Sequence, residues 1–327
     1  VNSAEIQEKR GLNIQKFQTD FVYDDKQAYL KNLYLQTPKT VLRDELVLNY
    51  NSLEMLTANP GAIKLSANIQ NSKIGFSDIL MLVPTLRNTA PFNKYPNSIL
   101  NVDARLKGTV NNLLIDNLQV SGLDKLKVSA SGNIRNAMDP DNLFYDLKIR
   151  ELSTSAKTIF NLVPKGTIPN TIALPSFMRG RGTARGTTKN VNTQLKINTT
   201  LGDASVNAQV DMRRKNQELY DVKANIQNLQ IGQIIKNKEV GAFTGQINVK
   251  GQSFDPKLAN AVFAGNVNSA VYKGYNYRNM ALKGKINRGA YQVNLDSKDP
   301  NADLNVYAAG NVNEKKPALK VKGNITK

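Results

Sequence analysis

Ala67-Asn68-Ile69-Gln70-Asn71 returns residue for residue as Ala224-Asn225-Ile226-Gln227-Asn228, and both copies run on into Ile-Gly, at Ile74-Gly75 and Ile231-Gly232. The copies lie 157 positions apart, from 67 to 224, with a looser version between them around Lys148-Ile149-Arg150-Glu151-Leu152. In each copy the apolar side chains fall on alternate positions, the period of a strand with one buried face. A β-unit repeated end to end builds surface rather than a compact pocket, because each unit touches only its neighbours.

The same alternation covers most of the chain. Leu65/Ala67/Ile69, Val102/Ala104/Leu106, Val128/Ala130/Gly132/Ile134, Leu195/Ile197 and Val206/Ala208/Val210 each put apolar groups on one face. So do Val222/Ala224/Ile226, Ile247/Val249, Val293/Leu295, Leu304/Val306 and Leu319/Val321/Gly323/Ile325. Lys, Asn, Ser, Gln and Asp fill the positions between, so the strands read as half-buried and antiparallel. Asn59-Pro60-Gly61, Asp139-Pro140-Asp141, Asp255-Pro256 and Asp299-Pro300-Asn301 mark turns, through the fixed proline φ and Asx hydrogen bonding.

Two short helices are predicted in matching places, Ser77 to Pro84 and Ser155 to Pro164, each with a capping serine, an apolar stretch and a terminating proline. Their Val-Pro ends are 80 positions apart, and Tyr145-Asp146-Leu147-Lys148 answers Tyr220-Asp221-Val222-Lys223 at a spacing of 75. The expected architecture is all-β with a few short helices: an elongated, curled antiparallel sheet built from repeats of roughly 75–80 residues. It forms one domain over 1–327, with units 20–90, 98–165, 175–240 and 241–327, the last stretched by a tyrosine-rich insertion at Tyr272, Tyr275, Tyr277 and Tyr291. About 20 strands at ~4.8 Å each give a body on the order of 100 Å long.

Composition agrees with a thin sheet. Hydrophobic residues make up 40% of the chain, below the ~45–50% of ordinary globular domains. Lys and Arg number 44 against 26 Asp and Glu, net +18 with a pI near 9.8. Such a balance suits anionic partners, or protects long sheet edges from pairing with one another. Cysteine, histidine and tryptophan are absent, which removes disulfides, thiolate metal sites and imidazole chemistry. No apolar run is long enough to span a membrane, and Val1-Asn2-Ser3 has no signal-peptide character, so the chain reads as an excised piece.

No cofactor or metal site is expected, and the chain does not read as an enzyme. Gly180-Arg181-Gly182-Thr183-Ala184-Arg185-Gly186 lacks the strand-then-helix setting of a phosphate loop and reads as a glycine-softened strand. Asp24-Asp25 and Asp139-Pro140-Asp141 read as turn chemistry, since further oxygen ligands at loop spacing are missing. Arg179-Gly180-Arg181-Gly182 lacks interleaved aromatics, so no nucleic-acid partner is expected. The apolar face itself is then the candidate site. Periodicity alone favours a closed sandwich core. The inward set, however, is rich in small residues (Ala67, Ala130, Gly132, Ala208, Ala224, Ala308, Gly323) and aromatics are only 7% of the chain, poor material for a close-packed interior.

Several short stretches carry a resemblance: Leu33-Tyr34-Leu35-Gln36-Thr37-Pro38, Ile74-Gly75-Phe76-Ser77-Asp78, Ile172-Ala173-Leu174-Pro175 with Gly182 to Gly186, Tyr272 to Tyr277, Leu282-Lys283-Gly284 and Asp299-Pro300-Asn301-Ala302. Together they span most of the chain and resemble the TamB family of translocation and assembly module subunits, in the variety found in Bacteroidota. The resemblance implies the β-taco of AsmA-like and bridge-like lipid transfer proteins: a trough carrying phospholipid or another acyl lipid through the periplasm, between inner and outer membranes. It further implies an inner-membrane anchor and an outer-membrane barrel partner of the BamA/TamA kind, neither of which maps to residues of this chain. Leu65, Ala67, Ile69, Val102, Ala104, Leu106, Val128, Ala130, Ile134, Val206, Ala208, Val210, Val222, Ala224, Ile226, Ile247, Val249, Val293, Leu295, Leu304, Val306, Leu319, Val321 and Ile325 are the expected groove lining. The alternatives are a closed β-repeat scaffold and a chaperone-like segment for outer-membrane protein assembly or secretion.

Overall fold

The period-two pattern produces strands that follow one another as antiparallel neighbours. The computed structural model describes residues 4–7, 11–139, 141–163, 168, 170–313 and 319–326; Pro140, Pro164 and Val1-Asn2-Ser3 lie outside the described residues. Strand makes up 63% and helix 10%, so the fold is all-β with a few short helices, and the sheet is not closed. It divides into two compact units, Val1–Ile168 with Phe177–Thr183, and Pro169–Ser176 with Ala184–Lys327.

The first unit contains β1 (Ala4–Gln7), β2 (Asn13–Tyr23), β3 (Gln27–Gln36), β4 (Val41–Asn49), α1 (Met55–Ala58), β5 (Lys64–Gly75) and α2 (Phe76–Leu82). It continues with β6 (Ile99–Thr109), β7 (Asn112–Gly122), β8 (Leu126–Arg135), β9 (Phe144–Thr154) and α3 (Ala156–Leu162). Each strand pairs with the next in the chain. After β10 (Met178–Thr187), the second unit holds β11 (Asn190–Thr199), β12 (Gly202–Asp211), β13 (Leu219–Gln230), α4 (Ile231–Ile235), β14 (Val240–Gln252) and β15 (Asn260–Tyr272). It ends with β16 (Tyr275–Asn287), β17 (Ala290–Asp299), β18 (Ala302–Asn311) and β19 (Lys320–Ile325), again paired in sequence.

The repeat has a structural meaning. β5, β9 and β13 each run straight into a helix, and the helices begin at Phe76, Ala156 and Ile231, 80 and 75 positions apart. A unit is therefore four strands, the last feeding a short helix. The glycine of each Ile-Gly pair is required by a close approach. A Cβ on Gly75 would stand 2.4 Å from Lys39 Cβ, and one on Gly232 would stand 1.7 Å from the Val240 carbonyl oxygen. Ser155 caps α3 as expected, accepting from the Thr158 amide. Ser77 does not cap α2; Gly75 holds that place without a side-chain bond, and Ser77 lies inside the first turn. The last unit is extended, with six strands, β14 to β19, but its tyrosines form no inserted loop. Tyr272 and Tyr275 flank a hairpin turn between regular 13-residue strands, and Tyr277 and Tyr291 sit within β16 and β17. Asp24 and Asp139 do the turn work expected of them, each accepting backbone amides two and three residues on.

A line of β-bulges crosses the first unit. Between β2 and β9 every odd-numbered strand carries one extra residue against both partners that share its register: β3 near Asn32, β5 near Asn71, β7 near Asp116, while β9 carries Arg150 against β8. Each bulge bends its strand and adds right-handed twist, so bulges in line form a crease. Backbone groups freed there find side chains. Thr19 Oγ1 donates to the Lys31 carbonyl at 2.9 Å, and buried Ser72 accepts the Arg43 amide at 3.0 Å. Asp103 accepts the Asn71 amide at 2.7 Å, and Arg150 donates to Asn117 and to the Ala130 carbonyl at 2.6 and 3.1 Å.

The second copy of the repeat bulges at the corresponding residue. Asn71 and Asn228 both adopt left-handed backbone, at φ 47° and 48°, and the Asn228 amide donates to Thr244 Oγ1 at 3.0 Å. Left-handed backbone costs a β-branched residue about 1–2 kcal/mol and glycine almost nothing. Asn228→Val should therefore lower the urea midpoint by that order of destabilisation, while Asn228→Gly should leave it nearly unchanged.

Candidate functional site

Residues paired across neighbouring strands share a face, so the register decides which side chains meet. In the second unit one ladder reads Leu195, Val206, Ala224, Ile247, Gly265, Leu282, Leu295, Val306, Gly323, one residue from each strand β11 to β19. The next reads Ala208, Val222, Val249, Phe263, Gly284, Val293, Ala308, Val321 from β12 onward. A third reads Val191, Val210, Tyr220, Gly251, Ala261, Ile286, Tyr291, Gly310. On the other flank Ile226, Gly245, Val267, Met280, Ser297, Leu304 and Ile325 complete the floor. Every second-unit residue of the expected lining falls on this one face except Leu319, which precedes β19.

The floor is not a packed core. Val206, Ala208, Val222, Ala224, Ile247, Val249, Val293, Leu295 and Val306 are all half-buried. Only Ala259, Ala261, Val267 and Met280 are fully buried apolar residues in this unit, among the described residues. A second layer within the unit would bury the whole row, and none of the unit's described residues forms one. The accessible surface agrees: 20137 Å² for the chain, against roughly 16,000 Å² for two separate compact globules of half its mass.

Large side chains lie flat over neighbouring glycines. A Cβ on Gly284 would meet the Phe263 ring at 2.2 Å, one on Gly310 the Tyr291 hydroxyl at 2.5 Å, and one on Gly265 the tip of Ile247 at 2.7 Å. Each big group leans onto the following strand, which levels the floor. Phe263 and Tyr291 were not part of the expected lining, and their cue in the sequence is a glycine at the cross-strand partner position.

In the first unit Leu65, Ala67, Ile69, Val102, Ala104, Leu106, Val128, Ala130 and Ile134 likewise share one face. Here Ala67, Ala104 and Ala130 are only 5%, 7% and 3% exposed, closed over by larger neighbours. Leu319, Val321 and Ile325 are the opposite case, 59%, 57% and 73% exposed on or beside the last strand. The lining also includes Leu113, Ile115, Leu118 and Val120 of β7 and Leu147, Ile149 and Leu152 of β9. Strict alternation passes over them because the bulges set Ile115 and Leu118, and Ile149 and Leu152, three apart.

The opposite face is polar and carries open hollows among the described residues. One of about 470 Å³ includes Lys107, Asn133, Arg135, Phe144 and Asp146, with Arg135 stacked 4.3 Å from the Phe144 ring. Another of about 260 Å³ is walled by Asn192, Gln194, Asn207, Gln209, Asp221 and Lys223. No cluster of metal-ligating side chains occurs among the described residues, and no helix among them is long and apolar enough to cross a membrane.

Hairpin turns form the two rims of the second unit. On one, Asp299 accepts the Tyr275 hydroxyl at 2.6 Å, the Asn301 amide at 3.0 Å and the Arg278 amide at 3.0 Å. The tyrosine hydrogen bond, then the backbone donors, hold its carboxyl below the usual range. On the other, Arg213 grips Asp211 through two guanidinium nitrogens and brings its pKa down to about 2.

Comparison of the chain with protein-family models, with curated proteins and with solved structures finds no match.

Four outcomes are expected. Arginine at Ala130 should unfold the first unit by more than about 3 kcal/mol, since it buries an unpaired charge. Arginine at half-buried Ala224 should leave the thermal midpoint close to wild type. Because Asp299 is depressed when folded, the stability it contributes is present above about pH 4, its unfolded value, and is lost as pH falls through the lower folded value. Tyr275→Phe should move its NMR-monitored titration upward.

Proposed function

We propose that this chain is a non-enzymatic bridge segment of the TamB type, in which acyl chains of phospholipids lie along the apolar floor in the periplasm. One observation carries the reading: an uninterrupted apolar floor across nine strands, β11 to β19, half-exposed and without a covering layer. Apolar surface of that extent on a water-soluble face marks a binding surface. A ~16-carbon chain laid on it gains on the order of 12 kcal/mol at about 0.8 kcal/mol per methylene. For cargo to move, that gain must be nearly even along the path. Ladders of similar aliphatic residues, levelled where large side chains overlie glycine, supply such evenness. A closed, dry scaffold would need a second layer against these ladders.

The reading is tested by delipidating the chain and adding oleate. Thermal stability should rise with oleate concentration, as ligand binding to the folded state alone requires, and organic extracts of the purified chain should contain phospholipid. A photo-crosslinker at Ile247 should capture the acyl chain, and Ala224→Arg should reduce capture severalfold without unfolding. Indifference to oleate together with lipid-free extracts would sink the proposal.

A further inference from the structure

The two rims of the second unit differ in chemistry. On the turns after β10, β12, β14 and β16 stand Lys189, Arg213, Arg214, Lys215, Lys257 and Arg288, against Asp211, Glu218 and Asp255. These carboxylates are already engaged. Asp211 is held by Arg213, Glu218 by the Asn216 amide at 2.8 Å and Asp255 by the Lys257 amide at 2.9 Å. Arg214, Lys215, Lys257 and Arg288 are exposed and form no ion pair among the described residues. On the opposite rim Lys273 pairs with Glu239 at 3.6 Å and Lys236 donates to the Asn170 carbonyl at 2.6 Å.

Two tyrosines stand between floor and cationic rim. Tyr220 and Tyr291 stand on the floor ladder nearest these turns. Phe254, on the turn itself and 55% exposed, stacks on Tyr220 with centroids 5.5 Å apart and planes 17° apart. At Tyr220 and Tyr291 the wall therefore grades from aliphatic side chains through an aromatic ring bearing a hydroxyl to the guanidinium and ammonium groups of the turns. That is the order of a phospholipid read from its tail: acyl chain, ester-linked glycerol, phosphate.

We infer that the second unit selects amphiphiles with an anionic phosphodiester head group and seats every head on this one rim, beside Arg214, Lys215, Lys257 and Arg288. The inference rests on the lipid-groove reading above and adds to it a head-group class and an orientation across the trough. Cations on exposed turns attract an anionic head by an amount that ionic screening removes.

The test loads the delipidated chain from vesicles of equal dioleoyl phosphatidylglycerol and dioleoyl phosphatidylcholine, then measures retained lipid by mass spectrometry after gel filtration. Wild type should retain phosphatidylglycerol about tenfold over phosphatidylcholine, with the preference falling towards one at high salt. The fourfold variant R214Q/K215Q/K257Q/R288Q should lose the preference yet retain as much phosphatidylcholine as before, with an unchanged circular dichroism spectrum. Lys238→Gln, on the other rim, should leave the preference intact. Equal retention of both lipids by wild type, or an undiminished preference in the fourfold variant, overturns the selectivity while leaving the groove standing. Retention of neither lipid overturns both.

Discussion

A sheet that is oily on one side and wet on the other must bend without losing its register. A slip of one residue on any strand turns every side chain to the wrong face. The bulges solve this by placing the extra residue on alternate strands, β3, β5, β7 and β9, so that each strand enters and leaves the crease with its faces preserved. Backbone groups released by a bulge are costly when left without a partner. Thr19, Ser72, Asp103 and Arg150 meet them, and no buried side-chain polar atom is left without a partner among the described residues. The crease is polar because bending is polar work.

Much of this was legible in the residues. Alternation located the strands, and the doubled Ala-Asn-Ile-Gln-Asn located the repeat, because the same local geometry is needed twice: a strand, a left-handed asparagine, a strand end and a helix seated against a close neighbour. The limits of legibility also have a physical cause. Ile115 and Leu118 share a face at a spacing of three only because β7 holds an extra residue between them, and a period-two reading has no term for that. Ser77 looked like a cap, yet Gly75 takes the position because Lys39 leaves no room for a side chain there. Tyr272 and Tyr275 looked like an insertion because hairpin turns and loops share a composition.

The candidate site was legible as a face and not as a surface. Sequence placed Ala130 and Ala224 together, and they do lie on equivalent faces of their own units. One is 3% exposed and the other half-buried, a difference that alternation does not carry. Rims are still harder to foresee. Arg214 and Lys257 are 43 positions apart along the chain and come to the same side only because two strands, β13 and β14, intervene.

Pairing only with the next strand in the chain has a kinetic corollary. Strand contacts fall between chain neighbours, so ordering can begin at any hairpin and spread outward in either direction, with a short loop to close at most steps. Each new strand can be templated on the last as the chain emerges from synthesis. Its weakest moment is whichever ladder happens to be outermost.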